Sequence, residues 1–482
     1  MSESATNHLV NLASGKAASK DTESYLLNTL KEGEKLKVKF LHECNENPNR
    51  FLQPLKRRKI ENFAAENNKQ KVGFKKGKTE DSIRDTFARM LVVAAEGNSL
   101  NMRLVMEYPL TEYPLSLAHS DGTIMKSPKS KLLNKLETLQ DTANFKPKEI
   151  TATVIDGGLI LHSILSVCGQ IVSYGTLARN LLVHVCGYEG MEVHVLFDTY
   201  LESSLKSSER KIRGSNGSSF SITGSEQKPM QNGTQLLRNE SFKNQLATFL
   251  LQEWGKSQYG SIILNKVIVA SHGGRCFKYT QATDDSGVTV SMPPEYQGEH
   301  EEADTLIAFH LNWLNGKIIV RSSDTDVLII LVGMPIDANK DIYLDCGSGN
   351  SRRYISVAQI QTSLNRKKPG LPAALPGLHA FTGSDFTESF YGKGKLKPFT
   401  ILENNVYIQF IEFFMSLRRQ NSTPNYLIAE EFCCHLYGFP ALKSINEARY
   451  AKLLQMTGKI NQVNAKSLYI YFAIFSAIFI FF

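Results

Sequence analysis

The sequence predicts an α/β fold: a parallel sheet with helices on both faces, a helical C-terminal part, and a basic, partly disordered N-terminal region. Three observations carry this. From about residue 151, short apolar runs rich in β-branched residues (TATVI, VHVLF, KVIVA, KIIVR) alternate with helical patterns at 158–168, 174–185, 236–254 and 303–314. Strands that alternate with helices pair in parallel, because each crossover returns the chain to the same edge. After about 398 the texture is mainly helical, and before 80 it is polar and lysine-rich with little sustained periodicity.

Composition supports a folded chain. Of 482 residues, 42% are hydrophobic and 21% charged, which excludes a collagen-like fibre or disorder throughout. At roughly 100–200 residues per domain, two or three units are expected. The net charge of +8 is uneven: residues 1–150 carry 25 Lys/Arg against 19 Asp/Glu, and the remainder 30 against 28. An electropositive first third permits a nucleic-acid partner. Seven scattered cysteines without a C-x-x-C pair argue against a zinc ribbon or disulfide framework and for a reducing compartment. The start MSESATNHLV has no basic region followed by an apolar stretch, so secretion is not expected. Phosphate-loop, nucleophile-elbow and H-E-x-x-H motifs are absent, leaving NTPase, serine hydrolase and zincin readings without support.

Residues 1–80 read as a flexible region with two basic clusters, Lys56, Arg57, Arg58 and Lys59, then Lys75, Lys76 and Lys78. Clusters this close suit a nuclear-import signal or a phosphate-binding arm; the plainer reading is a solvated surface. Residues 81–150 form a helical extension, with Asp81 or Ser82 placed to cap DSIRDTFARMLVVAAEG. The α/β domain spans 151–397. It is interrupted at 203–235 by a Ser/Gly/Asn-rich stretch, too polar for core and expected to be a mobile loop, with Lys206, Arg210, Lys211 and Arg213 at its base. Helices fill 398–460, and 461–482 is an apolar tail. Its last fifteen residues would span about 22 Å as a helix, short of the ~30 Å hydrocarbon core. A buried terminal helix or a read-through of the gene is preferred over a membrane anchor.

Acids follow the strands. TATVI runs into Asp156, VHVLF into Asp198, and KIIVRSS into Asp324 and Asp326. The carboxyl ends of parallel strands share one rim, where ligand sites form. Asp324 and Asp326, if extended, project from the same side. HEEAD at 300–304 adds Glu301 and Asp304, three apart on an expected helical face, with Glu302 beside them; Asp385 follows in TGSDF. Each such aspartate alone is explained as a turn or helix cap. Together they would repel one another unless divalent cations relieved the charge, and hard oxygen donors select Mg²⁺ or Mn²⁺ over zinc. Two such ions near 4 Å apart suit in-line phosphodiester hydrolysis. His300 has helical spacing to Asp304, and His379 lies near Asp385; either could touch a metal or substrate, or be an ordinary surface or core histidine. SHGGRC at 271–276 reads as a turn between strands.

The segments VIDGG, VLFD, EEAD, SSDTDVL and GSDFTESFYGKGK, in this order, resemble the flap-endonuclease/XPG-type nucleases of the PIN-like superfamily, over roughly 150–400. The whole chain also resembles a group of invertebrate proteins, some of transposon character, that carry this domain after a basic region. The resemblance implies a PIN-like sheet and two Mg²⁺ ions held by Asp156, Asp198, Glu302, Asp304, Asp324, Asp326 and Asp385. Asp304 stands where the family has Glu, shortening a ligand by one methylene. It further implies that Lys206 and Arg210 clamp the scissile phosphate, that 203–235 corresponds to a helical arch, and that Gly392, Lys393, Gly394 and Lys395 form a turn gripping duplex backbone. The family's G-I-G is G-K-G here, and about 150 residues precede the first strand where the family begins near its first methionine. The implied activity is structure-selective cleavage of DNA, less favourably RNA; the basic clusters point to the nucleus, with a cytoplasmic or tail-anchored location as the alternative. The competing reading is a non-catalytic nucleic-acid-binding or scaffold protein on a nuclease fold; retention of all seven acids favours the enzyme.

Overall fold

A computed structural model describes residues 9, 18–47, 50, 119, 123–140, 146–167, 173–200, 220–228, 236–237, 239–283, 287–384, 387–390, 392–404, 408–419, 423–448 and 451–452. Two helices come first, α1 (Lys20–Leu27) and α2 (Thr29–Glu46); the Ser19 side chain caps α1 by accepting from the Thr22 N–H at 3.2 Å. Helix α3 (Ser130–Glu137) buries Leu132, Leu133 and Leu136 along one face. The sheet then begins with β1 (Ala152–Asp156), followed by α4 (Gly157–Val167), α5 (Tyr174–Cys186), β2 (Glu192–Leu196) and α6 (Glu240–Glu253). After a single turn at Gly260–Ile263 come β3 (Val267–His272), β4 (Arg275–Gln281) and β5 (Val288–Ser291). Next are α7 (Ala303–Leu311), β6 (Gly316–Arg321), α8 (Thr325–Gly333), β7 (Lys340–Cys346) and β8 (Arg353–Ser356). Five more helices follow: α9 (Val357–Lys367), α10 (Leu371–Phe381), α11 (Leu396–Asn404), α12 (Ile408–Ser416) and α13 (Tyr426–Tyr437).

The eight strands lie in the order β5-β4-β3-β2-β1-β6-β7-β8. The pairs β1–β2, β1–β6, β2–β3 and β6–β7 are parallel; β4, β5 and β8 pair antiparallel at the edges. The chain leaves the centre by β1, β2 and β3, then crosses back to lay β6 beside β1. Strand order therefore reverses between β1 and β6, and in α/β sheets the crevice beyond the carboxyl ends at such a point is where ligands bind.

Alternation along the strands sends side chains to two cores. Val154 and Leu196 face one cluster with Leu306, Val320 and Leu328, while Ile155, Val193 and Val195 face another with Leu181, Leu246 and Trp254. Helices thus cover both faces, as the alternation of runs predicts. The turn reading of SHGGRC also holds: Gly273 and Gly274, at φ +61° and +75°, join β3 to β4 in a hairpin.

Other expectations need correction. The break placed at 397 is not a break in packing, because Phe399, Phe410, Phe414 and Phe432 share the first core with Ile318 and Val320 of β6. The leucines of α3, from the expected 81–150 extension, enter the same core. Within 203–235, residues 220–228 are held in place: Phe220 is buried, and the Tyr174 and Gly175 N–H groups donate to the Gln227 and Ser225 carbonyls at 3.0 and 2.8 Å. That stretch is polar overall, but Phe220 anchors it against the Phe242 ring at the start of α6, centres 5.6 Å apart. Among the described residues no helix is long and apolar enough to cross a membrane. The tail 461–482, the clusters Lys56–Lys59 and Lys75–Lys78, and Lys206, Arg210, Lys211 and Arg213 lie outside the described residues.

Candidate metal centre

Asp156 ends β1 at the point where strand order reverses. Its Oδ1 accepts from the Gly158 and Leu159 N–H groups at 2.9 and 3.3 Å, so the carboxylate is fixed by the first turn of α4. The helix can start this abruptly because residue 157 is glycine: a Cβ there would lie 2.3 Å from the Phe197 ring and 2.8 Å from the Leu196 carbonyl. Asp198 lies just past β2. Its Oδ1 accepts from the Ala303 N–H at 2.8 Å, its Oδ2 from the Tyr200 hydroxyl at 3.0 Å, and its carbonyl from His272 Nδ1 at 3.0 Å. Asp198 thereby caps a helix that begins more than a hundred residues later and draws α7 to the rim.

Asp324 caps α8 by accepting from the Asp326 N–H at 2.9 Å, and Asp326 sits in the first helical turn. The expected extended D-x-D pair is therefore a cap and a helical residue; the chain turns at once because Asp324 satisfies one of the first free N–H groups, that of Asp326. Helix α7 begins at Ala303, so Glu301 and Asp304 do not share a helical face. Glu302 is the N-cap residue, Asp304 lies in the first turn, and the Glu301 carbonyl accepts from the Thr199 N–H at 2.8 Å. The cap explanation of these aspartates is thus correct for Asp156, Asp198 and Asp324. It is also what brings them together, since each cap joins a strand end to a helix start.

Carboxylate oxygens of Asp304, Asp324 and Asp326 lie within 4.8 Å of one another. Asp156, Asp198 and Asp324 line a cleft of about 460 Å³, with Tyr200, Ser323, Thr325, His162 and Lys243 on its walls. The Lys243 ammonium stands 4.1 Å from the centre of the Tyr200 ring. Burial, then the charge of Asp198 and less so Asp324, pushes the Asp156 carboxyl up to about 6 against its two N–H bonds. Burial, followed by Asp324, Asp156, Asp326 and Glu302, holds Asp304 well above the usual carboxylate range. Burial acts upward on Asp326 too, but the hydrogen bonds and charges of His379 and Lys129 outweigh it and hold that carboxyl low.

The donor set fits a hard divalent cation. All donors are carboxylate oxygens from the β1, β2 and β6 ends and the start of α7, and two of them bear charge that a cation would relieve. Asp385 lies outside the described residues.

The histidines and the glycine turn depart from expectation. His379 does not serve as a ligand in this arrangement: its Nε2–H donates to Asp326 Oδ1 at 2.8 Å, so it orients a carboxylate instead. Burial, then the charge of Lys395, lowers His379 to about 4 against the upward pull of its bond to Asp326. His300 precedes α7 and pairs with the Thr305 hydroxyl at 3.1 Å, so it has no helical spacing to Asp304. Gly392 and Gly394 adopt φ +68° and +54°, the left-handed turn their residue type allows. Lys395, however, is buried and points inward, donating to the His379 carbonyl at 2.6 Å and the Thr382 hydroxyl at 3.2 Å. It therefore cannot grip a phosphate as the resemblance implies; it ties the turn to the end of α10. Lys393 is half-buried over the Tyr437 ring, and burial followed by Lys397 and Lys452 brings it down to about 8.

Sequence reasoning missed Lys129, whose Nζ is 2.7 Å from Asp326 Oδ2 and 3.7 Å from Asp324 Oδ1. It missed Ser322 as well, whose hydroxyl accepts from the Asp324 N–H and donates to Asp156 Oδ2, at 3.2 and 3.4 Å. The position of Ser322 between KIIVR and Asp324 was a signal that could have been used; for Lys129 there was none. No model of a known protein family matches the chain, and no curated protein matches it.

Proposed function

We propose that this protein is a divalent-metal-dependent nuclease that hydrolyses phosphodiester bonds in DNA, with RNA the less favoured substrate, on a PIN-like form of its α/β sheet. One observation carries the reading: carboxylates from four separate places in the chain converge at the reversal of strand order, two of them raised in pKa by burial and then by one another's charge. Asp304, Asp324 and Asp326 would hold one Mg²⁺ or Mn²⁺; Asp156 and Asp198 would hold a second, with Glu302 and Asp385 as further acids. Such ions, when bound, activate water and neutralise charge on the leaving oxygen.

The chain's own part is positional. The α4 N–H groups hold Asp156, Ala303 and Tyr200 hold Asp198, and His379 holds Asp326, so the oxygens are oriented before any ligand arrives. Lys243, on the cleft wall, offers a cation to a phosphate backbone. Burial lowers Lys393 and Lys397, and the nearby Lys452 charge adds to both shifts, a cluster that an anionic strand would relieve. This trio replaces the buried Lys395 as the second backbone contact. Contacts of this kind read shape rather than base sequence. The basic clusters before residue 80 suit an import signal, which supports a nuclear site of action.

The test is purified full-length protein on flap, nicked and hairpin DNA, with Mg²⁺, with Mn²⁺ and with chelator, beside an Asp324→Ala/Asp326→Ala variant. Metal-dependent cleavage that the double variant loses by at least a hundredfold is the expected outcome. Cleavage surviving in the variant, or DNA binding without cleavage in either metal, refutes the enzyme reading; the second result leaves a nucleic-acid-binding scaffold.

A further inference from the structure

The geometry points to a role for Lys129 that rests on the metal-dependent reading above: its ammonium is a resident cation of the acidic centre, holding Asp324 and Asp326 together and competing with a divalent ion for their oxygens. The contact is closely built. Lys129 Nζ lies 2.7 Å from Asp326 Oδ2 and 3.7 Å from Asp324 Oδ1, with its side chain only 16% exposed. Those two aspartates supply two of the three carboxylates whose oxygens lie within 4.8 Å of one another. The other oxygen of Asp326 is taken by His379. A divalent ion reaching Asp326 therefore meets both oxygens engaged, and it must displace the ammonium, since like charges within a few ångströms repel strongly in a half-buried site.

The backbone that delivers Lys129 is fixed. The Met125 carbonyl accepts from the Ser389 N–H and hydroxyl at 2.9 and 2.8 Å, and directly after Lys129 the leucines of α3 enter the main core. Movement is then confined to the four-carbon side chain, which lysine can redirect without disturbing the fold. A fixed stem with a movable charge suits exchange better than permanent bridging. Lys129 comes from before the first strand, so it is not part of the strand-and-helix repeat that assembles the acids.

Mn²⁺ binding to the full chain, followed by calorimetric titration, tests this without any readout of cleavage. The variants are Lys129→Met, which removes the competing charge, and Lys129→Arg, whose planar fork can hold both carboxylates at once. Lys129→Met should bind Mn²⁺ about tenfold more tightly than the unaltered chain, and Mn²⁺ should raise its melting temperature by more. Lys129→Arg should bind more weakly. If the unaltered chain binds Mn²⁺ and Lys129→Met binds it no more tightly, Lys129 is a structural prop and the inference falls while the metal reading stands. If neither the unaltered chain nor Lys129→Met binds, the metal reading itself fails. Should Lys129→Met not fold without metal, Lys129→Arg decides, and an unchanged affinity there overturns the competition.

Discussion

Asp156 and Asp304 compete with protons for the same lone pairs that a metal would use. Burial and neighbouring carboxylates raise Asp156 to about 6 and Asp304 well above its usual range. A divalent ion binds the deprotonated form, so below about pH 6 it must expel a proton from Asp156. Mn²⁺ affinity should therefore fall by up to about tenfold per pH unit for each proton released as pH drops through 6, and it should level off above the highest of these values. Asp326 adds nothing in this window, because His379 and Lys129 already hold it low. Titrations at pH 5, 6, 7 and 8 would read the slope, and Asp156→Asn should make it shallower while weakening binding at pH 8. A flat profile in the unaltered chain would show that these carboxyls are not the ligands. The same shift works in the opposite sense on the metal-free fold: raised carboxyl values favour folding as pH falls from above 6 toward 4.

The elements that carry the site are spaced by glycines as much as by apolar packing. Gly377 lies in α10 against α12, and a Cβ there would sit 2.1 Å from the Phe414 carbonyl. The helices can approach this closely only without a side chain at that position. Gly377→Ala should force them apart, lowering stability by about 1–3 kcal/mol. Because His379 lies two residues on and orients Asp326, the same change should also weaken Mn²⁺ binding, although residue 377 touches no acid. Loss of stability in chemical denaturation with unaltered Mn²⁺ affinity would separate the helix from the site. Legibility divides at this scale too. The central strands could be read because they are buried on both faces and are mostly apolar and β-branched, with only Thr153 and His194 as buried polar residues in β1 and β2. Strand β7 could not, since Asp341, Tyr343 and Asp345 interrupt it on the face away from Ile342 and Leu344. Asp156, Asp198, Asp324 and Asp326 could be read because each follows a strand that was itself readable. Lys129 and His379 meet Asp326 across 197 and 53 residues, and no local pattern encodes such contacts.

For the whole molecule the decisive fact is that the sheet and the C-terminal helices share one core. Texture in the sequence changes near 398, from strands alternating with helices to helices alone, and this invites a domain boundary. Packing ignores it. The Phe381 ring, at the end of α10, lies 5.6 Å from Phe414, 6.0 Å from Phe413 and 6.1 Å from Phe432, centre to centre. Phe399, Phe410, Phe413, Phe414 and Phe432 are all buried with it. At about 1.5–3 kcal/mol for each fully buried large apolar side chain, exposing their partners removes as much free energy as a typical domain has in total, about 5–15 kcal/mol. A chain ending at 397 should therefore lack a cooperative thermal transition and bind no Mn²⁺, since α10 would lose the cover that holds His379 against Asp326. Near-ultraviolet circular dichroism and calorimetry on this truncation, beside the full chain, would decide. A cooperative melt from the shorter chain would mean that the sheet stands alone and that the helices after 397 are a separate unit after all.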